Sequence, residues 1–253
     1  MVFGLLNSLS RKPAVAHAVP AGSRVYAVGD IHGRADLLTQ LHGQIVADAE
    51  RHAADRYVVV YLGDYVDRGL ESRQVVDMLL DEPLAGFESV YLKGNHEDFM
   101  LKFMEEVEIG FSWLMNGGNA TLYSYGVALS ERPDPEERMN QTQRDLIAKV
   151  PERHMAFFDS LALSHVEGDY FFVHAGVRPG VPLEAQDEED LMWIRDGFLE
   201  SSMRYDKMVV HGHSIEWQPI ETHNRIGIDT GAFASGVLTC LVLDGTDRTY
   251  LST

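Results

Sequence analysis

Acids and histidines recur in this chain inside short, glycine-rich clusters. These are Gly29-Asp30-Ile31-His32-Gly33, Gly63-Asp64-Tyr65-Val66-Asp67-Arg68-Gly69, Gly94-Asn95-His96-Glu97, His174-Ala175-Gly176 and His211-Gly212-His213. An Asp and a His two residues apart, such as Asp30 and His32, can offer a carboxylate oxygen and an imidazole nitrogen to one cation. A single pair of this kind is weak grounds for a site. Asp64, Asn95, His174 and His213 repeat the arrangement, however, and oxygen plus imidazole ligands without thiolate suit Mn2+, Fe or Zn2+ better than copper or an iron–sulfur cluster. Unrelated polar turns explain each cluster singly but not five together.

The runs that precede the clusters say how they are placed. Val25 to Val28, Tyr57 to Leu62, Val90 to Leu92 (through Lys93), Tyr170 to Val173 and Met208 to Val210 are short and rich in β-branched and aromatic residues, and each leads into one of the five clusters. Ligands in open α/β sheets gather outside the carboxyl ends of strands, so the five endings are expected to converge on one place. Leu37, Leu38, Leu41, Ile45, Val46 and Ala49 recur at helical spacing and predict a helix from Arg34 to about His52. Ser72 to Leu80 and Asp98 to about Val107 read the same way, their Met and Phe stripes as core.

Beyond Gly110 the pattern changes to aromatic and Gly-rich sequence, then Pro133-Asp134-Pro135 and a helical stretch from Glu136 to about Val150. We read 110–160 as an insertion over one end of the sheet. Strands return at Leu161 to Val166, Arg225 to Ile228, Val237 to Leu243 and Thr249 to Leu251. Strand and helix alternate early and strands dominate late, which predicts an α/β fold of two sheets packed face to face with helices outside. Residues 1–22, rich in Ala, Pro and Ser, read as a tail or an arm lying on the domain, and 23–253 as one domain.

Composition narrows the partners. The 253 residues include 45% hydrophobic and 24% charged types, an ordinary globular balance. Lys and Arg total 21 against 39 Asp and Glu, a formal net charge of −18. Nucleic acid and anionic membrane surfaces are therefore excluded as electrostatic partners. A phosphate-bearing substrate would need a local positive centre that overrides this field. Cys240 is the only cysteine and sits in an apolar run, so no intrachain disulfide or thiolate zinc cluster is available, and a buried strand thiol is expected. Arg11-Lys12 follow the apolar Val2 to Leu6, reversing the charge order of a secretory signal, and a cytoplasmic protein is expected.

The set GDIHG (29–33), GDYVDRG (63–69), GNHE (94–97), HAG (174–176) and GH (212–213) resembles the phosphoprotein phosphatase family of dinuclear metallophosphoesterases. The likeness spans about residues 25 to 245. Trp113-Leu114-Met115-Asn116-Gly117-Gly118 and Met192-Trp193-Ile194-Arg195 resemble most the small bacterial and bacteriophage lambda-type enzymes, which are serine/threonine protein phosphatases. The resemblance implies a single metallophosphoesterase domain with two mixed β-sheets between helical layers.

It also implies roles. Asp30, His32 and Asp64 would hold one divalent cation and Asp64, Asn95, His174 and His213 the other, with Mn2+ the first choice and Fe or Zn2+ the alternatives. Two such cations share a water, lower its pKa and polarise phosphoryl oxygens, so that the bridging hydroxide attacks phosphorus directly. Arg68 and Arg195 would clamp the phosphate with their forked donors, Asn95 lying beside them. His96 would protonate the departing alkoxide, held charged and oriented by Asp67. The lambda-type pattern has an apolar residue where His211 stands, which makes His213 the ligand and His211 a supporting residue. Asp229-Thr230-Gly231-Ala232 would support the loop of the second metal.

Several residues receive plainer readings. Glu97 is expected to be a structural partner or a helix cap. His42, His52, His154, His165 and His223 are assigned to the surface or to satisfied core positions. The run Asp187-Glu188-Glu189-Asp190 reads as a solvated face. The expected substrate is a phosphoprotein or phosphopeptide carrying phosphoserine or phosphothreonine, with phosphotyrosine as an extension. The alternative is a dinucleoside polyphosphate hydrolase, because symmetrical diadenosine tetraphosphate hydrolases share most of the metal motifs. In that branch Asp67 is typically replaced and a Pro commonly follows the RG, whereas this chain has Asp67 and Leu70.

Overall fold

The computed structural model describes residues 16–253. Strands β1 (Ser23–Val28), β2 (Arg56–Tyr61), β3 (Phe87–Tyr91), β4 (Ser164–Glu167), β5 (Tyr170–Val173), β6 (Met208–His211), β7 (Ile220–Glu221), β8 (Arg225–Gly227), β9 (Thr239–Asp244) and β10 (Asp247–Ser252) form two five-stranded sheets. The first has the order β10-β9-β1-β2-β3, in which β1, β2 and β3 run parallel, β9 is antiparallel to β1 and β10 is antiparallel to β9. The second has the order β4-β5-β6-β8-β7, parallel through β5, β6 and β8 and antiparallel at both edges. Both sheets are mixed.

Side chains alternate across each strand with period two and so serve two cores at once. Val25, Ala27, Val58 and Val60 turn inward to meet Tyr170, Phe172, Met208, Val210 and Ile226 of the second sheet. Their neighbours Tyr26, Val28, Val59 and Tyr61 face the helices α1 (Ala35–Arg51), α2 (Ser72–Asp81) and α3 (Asn95–Glu105). On the far side Phe171, Val173 and Val209 are covered by Leu191 of α8 (Glu188–Trp193) and Phe198 of α9 (Asp196–Leu199). The result is helix, sheet, sheet, helix.

Between α3 and β4 lie α4 (Gly110–Trp113), a π-helical turn over Leu114–Gly118, α5 (Asn119–Ser124), α6 (Pro135–Lys149) and α7 (Glu152–Asp159). Trp113, Leu122, Tyr125, Leu146, Phe157 and Phe158 of this stretch belong to the same buried cluster as Tyr26 and Tyr61. A last short helix, α10 (Ala232–Ser235), precedes β9. Residues 1–15 of the proposed tail lie outside the described residues. Beyond them the chain is bound to the domain: Val19 is buried and its N–H donates to Gly245 O (3.0 Å), while Ala18 N donates to Asp169 Oδ2 (3.0 Å).

Three local differences from the sequence reading have simple causes. The helix expected from Asp98 begins at Asn95, because Glu97 Oε2 accepts the Gly94 N–H (3.0 Å) and caps the first turn. The strand expected over Leu161 to Val166 forms only at Ser164–Glu167, with Ala162 making one parallel bridge to Leu92. Helices α7, α8 and α9 were not anticipated, since segments of four to eight residues are too short to show a period. The acids of 187–190 occupy the cap and first turn of α8, where Asp187 accepts from Glu189 N (2.9 Å) and negative charge is favoured.

Candidate active site

The carboxyl ends of β1, β2, β5 and β6, with the first turn of α3 after β3, bring the five clusters together. Asp64, just past β2, is the hub. Two triads of ligand atoms, each within 4.8 Å of one another, share it: His32, Asp64 and His96, and Asp64, His174 and His213. All their members are buried.

Five non-glycine residues among those described have positive φ: His32 (47°), Asp64 (52°), Asp67 (70°), Arg68 (68°) and His213 (60°). Every one was singled out from the sequence. Such backbone is uncommon for side chains and persists where the surroundings over-determine it. Around Asp64 the fixing group is Glu97, whose buried carboxylate accepts the N–H groups of Asp64 (2.9 Å), Tyr65 (2.8 Å), Val66 (3.2 Å) and Gly94 (3.0 Å). One side chain thus joins the loop after β2 to the start of α3.

The imidazoles are anchored by one nitrogen and present the other. His32 Nδ1 lies 2.9 Å from Val66 O, and His174 Nδ1 lies 2.8 Å from Leu62 O. A carbonyl can only accept, so Nδ1 carries the proton in both. Burial lowers the pKa of His174 and pushes that of His32 down to about 3, so both rings are neutral and their Nε2 lone pairs are bare. Those nitrogens stand 3.4 Å from Asp64 Oδ2 and Oδ1 respectively. Asn95 Oδ1 adds a further acceptor, 2.9 Å from His174 Nε2 and 2.8 Å from His213 Nδ1.

This crowd of lone pairs is the test of whether a cation fits. Buried polar atoms are nearly always paired. Yet Asp30 Oδ1 and His213 Nε2 are buried with no partner among the described residues. Asp30 is outside both triads but inside the site: its Oδ2 accepts the His213 N–H (2.9 Å), and a side chain at Gly212 would run into its Oδ1. Burial, then Asp229 and Asp64, raise its pKa well above the usual carboxylate range, the signature of negative charge without a counterion. Oxygen and neutral imidazole donors around a shared carboxylate fit divalent cations.

A second constellation adjoins the first. His96 Nδ1 lies 2.7 Å from Asp67 Oδ2, and its Nε2 lies 3.2 Å from an Arg68 Nη2 and 3.9 Å from Asp64 Oδ2. Burial disfavours the charged ring, but Asp64 and the Asp67 hydrogen bond prevail and raise the His96 pKa. Arg68, partly buried, stacks on Phe233 with its guanidinium carbon 4.6 Å from the ring centroid. Arg195 is exposed at the start of α9. Its charge reaches the site, since it adds to burial in lowering the pKa of His174 and of His213. His211 points elsewhere, with Nδ1 3.0 Å from Gly212 O and Nε2 3.3 Å from Arg225.

Three residues in this region had no assigned role in the sequence reading. Trp113 and Thr121 both hydrogen-bond to the Asp67 carboxylate, and Phe233 packs edge-on against His32 at 5.4 Å. Thr121 and Phe233 carry no sequence signal, because they reach the site from distant segments. Trp113 stood in a noticed motif, but 46 residues separate it from Asp67.

Residues 23–233 match the calcineurin-like phosphoesterase family. The chain is 26% identical over 225 residues to an asymmetrical bis(5'-nucleosyl)-tetraphosphatase, PrpE, of Halalkalibacterium halodurans, covering 85% of this chain and 87% of that protein. It is 28% identical over 221 residues to serine/threonine-protein phosphatase 2 of Salmonella typhimurium, covering 85% and 90%. Among solved structures, a candidate diadenosine tetraphosphatase superposes with a TM-score of 0.59 at 21% identity, covering 95% of this chain and 96% of that one. No helix among the described residues is long and apolar enough to cross a membrane.

Proposed function

The chain belongs to the calcineurin-like phosphoesterase family, and we propose that it is a cytoplasmic protein phosphatase hydrolysing phosphoserine and phosphothreonine, with phosphotyrosine as an extension. The observation that carries this reading is the buried His96–Asp67 pair, at 2.7 Å. A serine or threonine alkoxide is a poor leaving group and needs a proton as the P–O bond breaks. A nucleotide leaving through a phosphate oxygen needs one far less.

Asp30, His32 and Asp64 would hold one divalent cation and Asp64, Asn95, His174 and His213 the other, with Mn2+ the metal of choice. Such a pair, when bound, supplies a water of lowered pKa and draws charge from the phosphoryl oxygens. The chain's own groups do the rest. Arg68 and Arg195, with Asn95 beside them, bind the phosphate oxygens and give the local positive field that a chain of net charge −18 otherwise lacks. A phosphate drawing the Arg68 guanidinium toward itself leaves His96 Nε2 free to carry a proton. Asp67 accepts from Nδ1–H, stabilises the imidazolium and aims Nε2 at the departing oxygen, which takes the proton.

The second reading, hydrolysis of a dinucleoside tetraphosphate, is favoured by the likeness to the asymmetrical tetraphosphatase. Leu70, where the symmetrical diadenosine tetraphosphate hydrolases commonly have Pro, supports the first. The test is kcat/KM measured side by side on a phosphoserine peptide and on diadenosine tetraphosphate with Mn2+ present. A higher value for the peptide is expected; a higher value for the dinucleotide moves the assignment to the second reading.

A further inference from the structure

Asp67 is held more tightly than a partner of one histidine requires. Besides His96 Nδ1, its carboxylate accepts from Trp113 Nε1 (2.9 Å to Oδ2) and from Thr121 Oγ1 (2.6 Å to Oδ1), and its own N–H donates back to Thr121 Oγ1 (2.8 Å) and to Ser72 Oγ (3.1 Å). Asp67, Trp113, Thr121 and Ser72 are each fully buried. Asp67 and Arg68 sit at φ of 70° and 68°, a conformation with no local support in the sequence. The support comes from the segment around the π-helical turn over Leu114–Gly118. There Gly117 O accepts the Arg68 N–H (3.2 Å), and Gly118 has to lack a side chain because one would run into the Trp113 indole. The indole itself is stacked on Phe103, with centroids 5.1 Å apart.

A π-turn inside helical sequence often marks a functional position, and here it has a definable use. The carboxylate has two oxygens, and each is given a donor from outside the His96 pair. Rotation of the Asp67 side chain would break both, leaving a buried indole N–H unpaired and taking the carboxylate from the buried Thr121 hydroxyl, which is costly. We propose that Trp113 and Thr121 are positioning residues that lock the Asp67 carboxylate, and through it the His96 ring, in the orientation that delivers the proton to the leaving group. The role in turnover rests on His96 being the proton donor; the locking of the ring does not.

The variants are Trp113→Phe, which keeps a ring on Phe103 but loses the N–H and the second ring of the indole, Thr121→Val, which keeps the shape and loses the hydroxyl, and Thr121→Ser, which restores it. Turnover is measured on a phosphoserine peptide and on p-nitrophenyl phosphate, whose leaving group needs no proton. The His96 Nδ1–H resonance is followed by proton NMR in the diamagnetic zinc-loaded enzyme, assigned by its absence in His96→Asn. Losing a hydrogen bond to a charged group predicts roughly 10-fold or more lost on the peptide, clearly less on p-nitrophenyl phosphate, recovery with Thr121→Ser, and little further loss when Trp113→Phe is added to Asp67→Asn. The Nδ1–H resonance should shift or broaden in Trp113→Phe and Thr121→Val. An unchanged resonance in both variants, or equal losses on the two substrates beside a leaving-group bias in His96→Asn, overturns the proposal. A moved resonance with no leaving-group bias even in His96→Asn upholds the locking and overturns the proton-donor reading instead.

Discussion

His174 Nε2 faces Asp64 Oδ1 across 3.4 Å while its other ring nitrogen is committed to the Leu62 carbonyl. The ring is neutral, since burial lowers its pKa, and so it presents a lone pair to a carboxylate. His32 does the same from the opposite side of Asp64, through the Val66 carbonyl. Two lone pairs aimed at one anion repel, and what relieves the arrangement is positive charge between them. A histidine whose far nitrogen is tied to a backbone carbonyl is also the usual setting of a metal ligand.

The first prediction follows from that geometry. The purified protein should hold two divalent ions per chain by elemental analysis, chelation should abolish hydrolysis, and Mn2+ should restore it. One ion or none in a preparation that is fully active contradicts the two-cation arrangement.

His213 and His211 stand two residues apart and should behave differently. His213 belongs to a triad and has an unpartnered Nε2, whereas His211 faces Gly212 O and Arg225. His213→Ala should lose one metal and nearly all activity. His211→Ala should keep both metals and lose ~10–100-fold, the usual range for a supporting residue. The reverse order, in metal content and rate, would show that the wrong histidine was chosen.

Glu97 accepts four backbone N–H groups, and Gln can accept at only one of its two positions. Glu97→Gln should therefore leave buried donors unpaired and destabilise the protein by about 2–4 kcal/mol. Because Asp64 and Val66 hang on the same carboxylate, metal affinity should fall with it. Chemical denaturation with and without Mn2+ measures both, and a stability unchanged within error would remove Glu97 from the account of the loop.

Buried His42 contributes a pH dependence remote from the metal ligands. Burial pushes its pKa down to about 4 from 6.5, and its Nε2 lies 2.8 Å from Tyr61 Oη. The unfolded chain takes up the proton near pH 6.5 and the folded chain not until about 4. The contribution is therefore complete above pH 6.5 and is lost as pH falls toward 4, by about 3 kcal/mol at the acid end. His42→Gln, which can keep a hydrogen bond to Tyr61, should flatten stability between pH 6.5 and 4 relative to wild type. An identical slope in both proteins would show that His42 is not the source.

What the sequence made legible were the features carried by local pattern. The short β-branched and aromatic runs Val25 to Val28 and Tyr57 to Leu62 and the 3.6-residue spacing of Leu37, Leu38, Leu41 and Ile45 gave the strands and the first long helix, and the clusters at the run ends gave Asp30, His32, Asp64, Asn95, His174 and His213 as one expected site. What was hidden depends on distance along the chain. Nothing in residues near Asp67 announces that Thr121, 54 positions on, will hold it. The start of α3 differs from the expected one because Glu97 stands inside the first turn and caps it through the Gly94 N–H, so that Asn95 and His96 are already helical.

The central claim is that His96, held at 2.7 Å by Asp67, gives its proton to an alkoxide leaving group. Its most direct test is His96→Asn assayed on a phosphoserine peptide and on p-nitrophenyl phosphate, under conditions where the chemical step limits the rate, with metal content measured in the same samples. Peptide turnover should fall by ~10²–10⁴-fold, the usual worth of general acid catalysis, p-nitrophenyl phosphate turnover should fall clearly less, and both metals should remain. Equal losses on the two substrates with both metals retained, or loss of a metal from the triad that His96 shares with His32 and Asp64, would contradict it.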